Sequence, residues 1–484
     1  MGFKAFFGFT VIPAALVGGS ILACCSRRVR DLFFVLLVFM GPVIELWDVN
    51  FVSREWYRGT SRGFEFSVLD IMSFSLLVST LLLRPRHGGS RWYWPASFAP
   101  LLLFFFYCCF NVAINEPRLF GYFELFRMLR GFVLLLAIAF YLRSERELRM
   151  LVYTLATLVC YEGYLALKQR YMYGVDRVPG TVDDSNSLSV FMVMTAPVLV
   201  AALTSDFPKK LKVLCAAGIT FAVVGEILTI SRAGVVILGI VLAGTALTTI
   251  SYHITGKKIA ICLALAIAIA GITAKSWKSL SKRFDSSTLA EEYGHHHNLG
   301  RGYYIHEAEA MVAEQPLGVG LNNWSYWATD KYGPKLGYFF VPYRGTDKEP
   351  STVIPSGDDV DEAQAAPAHC LAALTAGELG IPGLIFFAWL WLRWFQMGAS
   401  FLWPRTPDPL RRMGVGLFFG FLGIFLQSLT EWVFRQLPIY YVFHVLLGAL
   451  VSLYYMKKKA RQQAFEEEVE LIPINVEEME GVPT

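Results

Sequence analysis

The apolar stretches of this chain are too long and too uniform for anything but helices that cross a membrane. A helix needs ~20 mostly apolar residues to span a bilayer, and segment after segment here approaches or exceeds that length. Roughly, they cover 3–25, 32–47, 67–84, 97–115, 125–142, 149–167, 185–204, 211–230, 233–251, 258–275, 379–397, 411–430 and 438–456. That makes about 12–13 transmembrane helices, because the first two are closely spaced and one of them could be re-entrant. Lipid offers no hydrogen bonds to a backbone, so only helices or closed barrels cross it, and these runs are far too long for barrel strands. The expected fold is an all-α polytopic membrane protein. Composition agrees: of 484 residues 55% are hydrophobic and only 17% charged, against about a quarter charged in ordinary soluble chains.

Short basic loops favour the cytoplasmic side. Arg27-Arg28-Val29-Arg30, Arg84-Pro85-Arg86, Arg143 to Arg149, Lys209-Lys210, Lys257-Lys258 and Lys457-Lys458-Lys459 can all lie there at once. Alternation then puts 168–184, the Ser231-Arg232 turn and the long polar segment 276–366 outside. The chain divides into an N-terminal bundle (1–275), an extracytoplasmic loop (276–378), C-terminal helices (379–456) and an acidic cytoplasmic tail (457–484). The N-terminal segment reads as retained rather than as a cleaved signal. Within the loop, 302–314 has the spacing of an amphipathic helix, stopped by Pro316 and Gly318-Val319-Gly320. The stretch 331–366 reads as a mobile loop. A second helix is expected from Pro367, carrying His369, Ala373 and Gly377 on one side, before Glu378-Leu379-Gly380-Ile381-Pro382-Gly383 bends the chain into the next span.

A net charge of +4 gives no reason to expect a nucleic-acid partner. The eight cysteines lie in or beside apolar runs without zinc-site spacing and read as small hydrophobes. His295-His296-His297 and Asp358-Asp359-Val360-Asp361-Glu362 fit solvated loop better than a metal site, so neither metal nor cofactor is expected. Arg232 is either a snorkelling anchor or a functional cation on the side where arginine is uncommon. Arg301, at the start of a helix, suits a phosphate, which both the helix dipole and a guanidinium attract. His369 precedes an apolar helix and could serve as a general base. Glu162 and Glu226 are ionisable groups inside spans, where such groups are expensive.

In order along 170–390, these pieces resemble the O-antigen ligase and O-antigen polymerase superfamily of bacterial envelope enzymes. Arg177-Val178-Pro179-Gly180 with Asn186 looks like the family's Gly and Asn pair, and Ser231-Arg232-Ala233-Gly234 like its Ser-Arg-Gly turn. Arg301 with Pro316-Leu317-Gly318-Val319-Gly320-Leu321 is similar to its outer-loop arginine and Pro-x-Gly-x-Gly segment. His369 and Glu378 to Gly383 are similar to its His-Asn and Glu-x-Gly-x-x-Gly block, with Cys370 standing where asparagine is common. The resemblance implies a GT-C-like membrane glycosyltransferase in the inner membrane, with its site on the periplasmic face. Its donor would be an undecaprenyl-diphosphate-linked glycan and its acceptor a lipid- or glycan-linked hydroxyl. Arg232 and Arg301 would neutralise the diphosphate and His369 would activate the acceptor. Ser231, Arg177, Asn186, Gly318, Gly320 and Glu378 would line the substrate site. Transfer would invert the anomeric centre without a metal. The alternatives are a transporter or flippase of a lipid-linked sugar, expected to line a transmembrane path with charge, and a protein O-oligosaccharyltransferase.

Overall fold

The computed structural model describes residues 7–43, 48–54, 56–83, 92–182, 184–249, 301–337, 364–404 and 406–470. Its helices are α1 (Ile12–Cys25), α2 (Arg27–Phe39), α3 (Val68–Leu82), α4 (Phe98–Ile114), α5 (Arg118–Tyr141), α6 (Glu145–Met172), α7 (Ser185–Thr204), α8 (Lys209–Thr229) and α9 (Arg232–Thr249). After the undescribed 250–300 come α10 (Arg301–Glu314), α11 (Leu371–Ala399), α12 (Pro409–Ser428) and α13 (Leu437–Glu470). Seven of these, α6 to α9 and α11 to α13, are long and apolar enough to cross a membrane; α1, α3 and α4 are apolar but shorter. The architecture is that of a helical, multi-pass membrane protein.

α7 is the centre of the bundle. It is apolar on every side and buried almost without interruption from Ser185 to Ala202, as a helix without a solvent face should be. It packs on α8, α9 and α12. Lipid is as apolar as leucine, so such helices associate through close van der Waals contact at small residues. Gly416 and Gly420 of α12 supply that contact: a Cβ on Gly416 would lie 2.8 Å from Val198 Cα, and one on Gly420 2.5 Å from the Met194 carbonyl.

Several expectations need correction. A span was expected at 32–47, but α2 ends at Phe39 and the chain enters a strand at Asp48. That strand, β1 (Asp48–Ser53), pairs antiparallel with β2 (Gly63–Ser67). This short sheet was not foreseen, because its brief alternation of apolar and polar residues was hidden between two apolar runs. Ser67 then opens α3 with a reciprocal cap, its backbone N–H donating to Asp70 Oδ2 at 2.7 Å. The loop expected from 331 is helical turns as far as Lys335. The helix expected from Pro367 starts at Leu371, leaving His369 in a bend before it. The expected span 258–275, the three histidines and the acidic run 358–362 lie outside the described residues.

Two ends can be told apart by their bonds. At one, the basic segments meet: Arg27 approaches Glu147 at 3.6 Å, Arg143 lies 4.6 Å over the Tyr93 ring, and Asp206 N–H donates to the Pro407 carbonyl. At the other lie the hairpin, the starts of α5, α7, α11 and α13, and the turns after α8 and α12.

Candidate functional site

The turn joining α12 to α13 organises this second end, and it does so with Glu431, Arg435 and Gln436. The Glu431 carboxylate is 4% exposed and meets His369 Nδ1 at 2.9 Å, while the imidazole itself is 34% exposed. A carboxylate can only accept, so it selects the tautomer with the proton on Nδ1 and leaves Nε2 as an acceptor. The Tyr304 ring of α10 flanks the histidine, 5.7 Å between centroids. A half-open imidazole fixed by a buried carboxylate is the arrangement a general base requires.

Gln436, five residues on, accepts a hydrogen bond from Ser187 Oγ at 2.8 Å. Ser187 neighbours Asn186, whose Oδ1 accepts from Arg177 Nη2 at 2.7 Å; Arg177 Nε also donates to the Thr229 carbonyl at 3.3 Å. The Ser231-Arg232 turn follows at once. Ile230 takes a left-handed conformation (φ 55°), Ser231 Oγ accepts from Gly234 N–H at 3.3 Å, and α9 begins at Arg232. Gly234 is required here: a Cβ would sit 2.0 Å from both Glu226 Oε1 and Ser189 Oγ. Arg177, Asn186, Ser231 and Arg232 thus form one neighbourhood, and Ser231 and Arg232 are half-buried within it. Arg301 opens α10 as expected, but its side chain lies outside the described residues.

Gly318, Gly320 and Glu378 do structural work. α11 breaks at Gly380 (φ 67°, ψ −167°), and the Pro316–Leu321 segment repairs the break. Val319 and Gly320 N–H donate to the carbonyls of Gly377 and Glu378, both at 2.9 Å, and Ile381 N–H donates to that of Pro316 at 3.0 Å. Positive φ at Gly318 (87°) and Gly320 (112°) makes this route possible. Asn111 on α4 closes it, donating to the Leu317 carbonyl and accepting from Leu321 N–H.

The Glu378 carboxylate, 1% exposed, pairs with Arg435 Nη1 at 2.6 Å. Arg435 also lies 3.5 Å from Glu124, which pairs with Arg127 at 2.5 Å, and donates to Thr60 Oγ1 at 3.1 Å. Nearby, Arg130 holds Asp70 at 2.9 Å. Charges taken out of water keep their ionised form only with partners in this geometry. Glu162, singled out in the sequence, anchors the loop before α7 by accepting from Thr181 N–H at 3.0 Å. Glu226 accepts from Ser189, which in turn accepts from Gln427.

Sequence reasoning missed Glu431, Arg435, Gln436 and the ion pairs of α5. The one signal available was that Glu431, Arg435 and Gln436 fall in a six-residue interval between two apolar runs, a place where ionisable groups are costly. No three metal-binding side chains cluster among the described residues. A small apolar pocket of about 60 Å³ lies below this end, lined by Met128, Phe132, Leu390, Trp394 and Phe443 and reaching Arg435. No protein-family model matches the chain, and no curated protein does.

Proposed function

We propose that this chain is an inverting, metal-independent glycosyltransferase of the O-antigen ligase or polymerase type. It moves a glycan from an undecaprenyl-diphosphate carrier to an acceptor hydroxyl during assembly of surface polysaccharide. Its site faces the periplasm from the bacterial inner membrane, in a GT-C-like bundle of about 12 spans with one large outer loop. The observation that carries the proposal is the His369–Glu431 pair, at the end of the molecule that also holds the Arg177–Asn186 contact and the Ser231-Arg232 turn. His369 Nε2 takes the acceptor's proton as its oxygen attacks the anomeric carbon, and Glu431 stabilises the resulting imidazolium. Arg232 and Arg301 take up charge on the departing diphosphate, a service fixed cations perform without reorganising.

Charge depth bears on the transporter alternative. Asp70, Glu124 and Arg127 lie within the first three turns of their helices, and Arg130 twelve residues into α5, about 18 Å along it. Each is held in an ion pair, Glu124 with Arg127 and Asp70 with Arg130 about halfway along α5, and charges fixed on one another in this way support a fixed site.

The test is transfer by the purified protein from an undecaprenyl-diphosphate oligosaccharide, with and without a lipid-linked core acceptor and with EDTA. Product is expected in wild type, undiminished by EDTA, and absent in His369→Ala and Arg232→Ala variants that remain folded. Lengthened carrier-linked glycan without added acceptor identifies a polymerase; product only with the core acceptor identifies a ligase. An intact donor throughout overturns the transferase and favours a flippase.

A further inference from the structure

Glu307 is fully enclosed on the inner face of α10. Tyr303 OH donates to its Oε1 at 2.9 Å, while Oε2, also buried, accepts no hydrogen bond. The same face of α10 carries Tyr304, against the His369 ring, and Met311, whose sulfur lies 2.9 Å from where a Cβ on Gly377 would be. α10 therefore runs beside the start of α11 in parallel, and Glu307 falls between those two contacts, inside the interface.

The surroundings give this carboxyl no counter-charge among the described residues. α10 packs against α11 and the 328–332 segment. On the first turns of α11, Leu371, Ala373 and Leu374 are buried and apolar, and Glu378 is held by Arg435. On the other segment, Lys331 pairs with Glu314, Tyr332 OH donates to that same Glu314 at 3.3 Å, and Asp330 is exposed. On α10 itself His306 pairs with Glu309 on the outer face, and His369 is engaged by Glu431. A carboxylate needs donors for both oxygens; a carboxylic acid does not. Burial pushes Glu307 up to about 8, with the Tyr303 hydrogen bond opposing it.

We propose that Glu307 is a positioning residue that works as an uncharged acid: protonated, it lets α10 seat on α11 with Tyr304 against His369, and losing the proton unseats the helix. The inference rests on the transferase reading only in naming His369 as the group positioned. The sign follows from linkage. The folded state holds this proton more tightly than the unfolded one, so the seating is complete below the ordinary carboxyl range and is lost as pH rises through about 8.

The test uses the full-length protein in lipid nanodiscs from roughly pH 6.5 to 9.5, with two readouts. One is the transfer rate; the other is hydrogen exchange of 301–314, corrected for the intrinsic rise with pH. In wild type, transfer should fall reversibly as pH rises through about 8, with exchange rising in step and both levelling off once the carboxyl is ionised in the seated and unseated states alike. Glu307→Gln, neutral and of the same shape, should keep its neutral-pH rate, extend activity by at least about one pH unit, and show flat exchange. The same alkaline fall in both proteins, or wild-type exchange that does not change with pH, overturns the proposal. If no transfer occurs at any pH, the transferase reading fails and exchange alone decides the role of Glu307.

Discussion

An imidazole that gives one nitrogen to a buried carboxylate has a single nitrogen left for other contacts, and in His369 that nitrogen is Nε2, on a ring that is 34% exposed. The carboxylate adds two things: it fixes the tautomer and it meets the positive charge that forms when Nε2 takes a proton. Glu431→Gln keeps the shape but can hold the wrong tautomer. Its kcat should fall by roughly 10²-fold or more, with KM for the donor little changed. A kcat equal to wild type would show that Glu431 only supports the fold. His369 itself was legible, as an isolated polar residue ahead of an apolar helix. Glu431 was not, because a glutamate after an apolar run looks like an ordinary loop residue until a histidine 62 positions away is brought to it. Arg177 and Asn186 stood nine positions apart around the start of one helix, and that local spacing survives as a direct hydrogen bond.

At the scale of an element, α11 shows how close a reading can come and still misplace a boundary. The glycines and Pro382 announced a bend near 380, and the helix does break there. Its start was placed four residues early, because the tertiary contact that sets it is invisible in sequence. Ala365 N–H donates to Thr329 Oγ1 at 2.9 Å, and Cys370 is extended (φ −156°, ψ 112°). The break depends on Gly380, where a Cβ would lie 2.1 Å from the Pro316 carbonyl on a left-handed backbone. Gly380→Ala should cost about 1–3 kcal/mol from conformation alone, with the clash in addition. A melting temperature in detergent equal to wild type would show that the Pro316–Leu321 segment is free to move aside.

For the whole molecule, the bundle was legible because lipid solubility is written residue by residue, whereas the polar scaffold within it was not. Glu124, Arg127 and Arg130 sit three apart at the edge of an apolar run and pass for boundary charges. Their meaning lies in Arg435, from the turn before α13, and in Asp70, from α3. Breaking such a pair is more costly than replacing it. Arg435→Met, which strands Glu378, should destabilise by ~3–5 kcal/mol and lower the yield of monodisperse protein. Arg435→Met with Glu378→Met should recover much of the loss. A double variant no better than the single one would show that Arg435 serves Glu124 and Thr60 more than Glu378.

The central cluster has a further consequence. Glu124 and Glu378 carry two negative charges, and Arg127 and Arg435 two positive ones, all of them nearly sealed from solvent. Such a set sums to zero and projects almost no field beyond itself, and mobile ions cannot enter to screen it. The scaffold is therefore indifferent to ionic strength. Salt therefore acts on this protein at its water-facing rim, where exposed charges are screened, and leaves the internal frame unchanged.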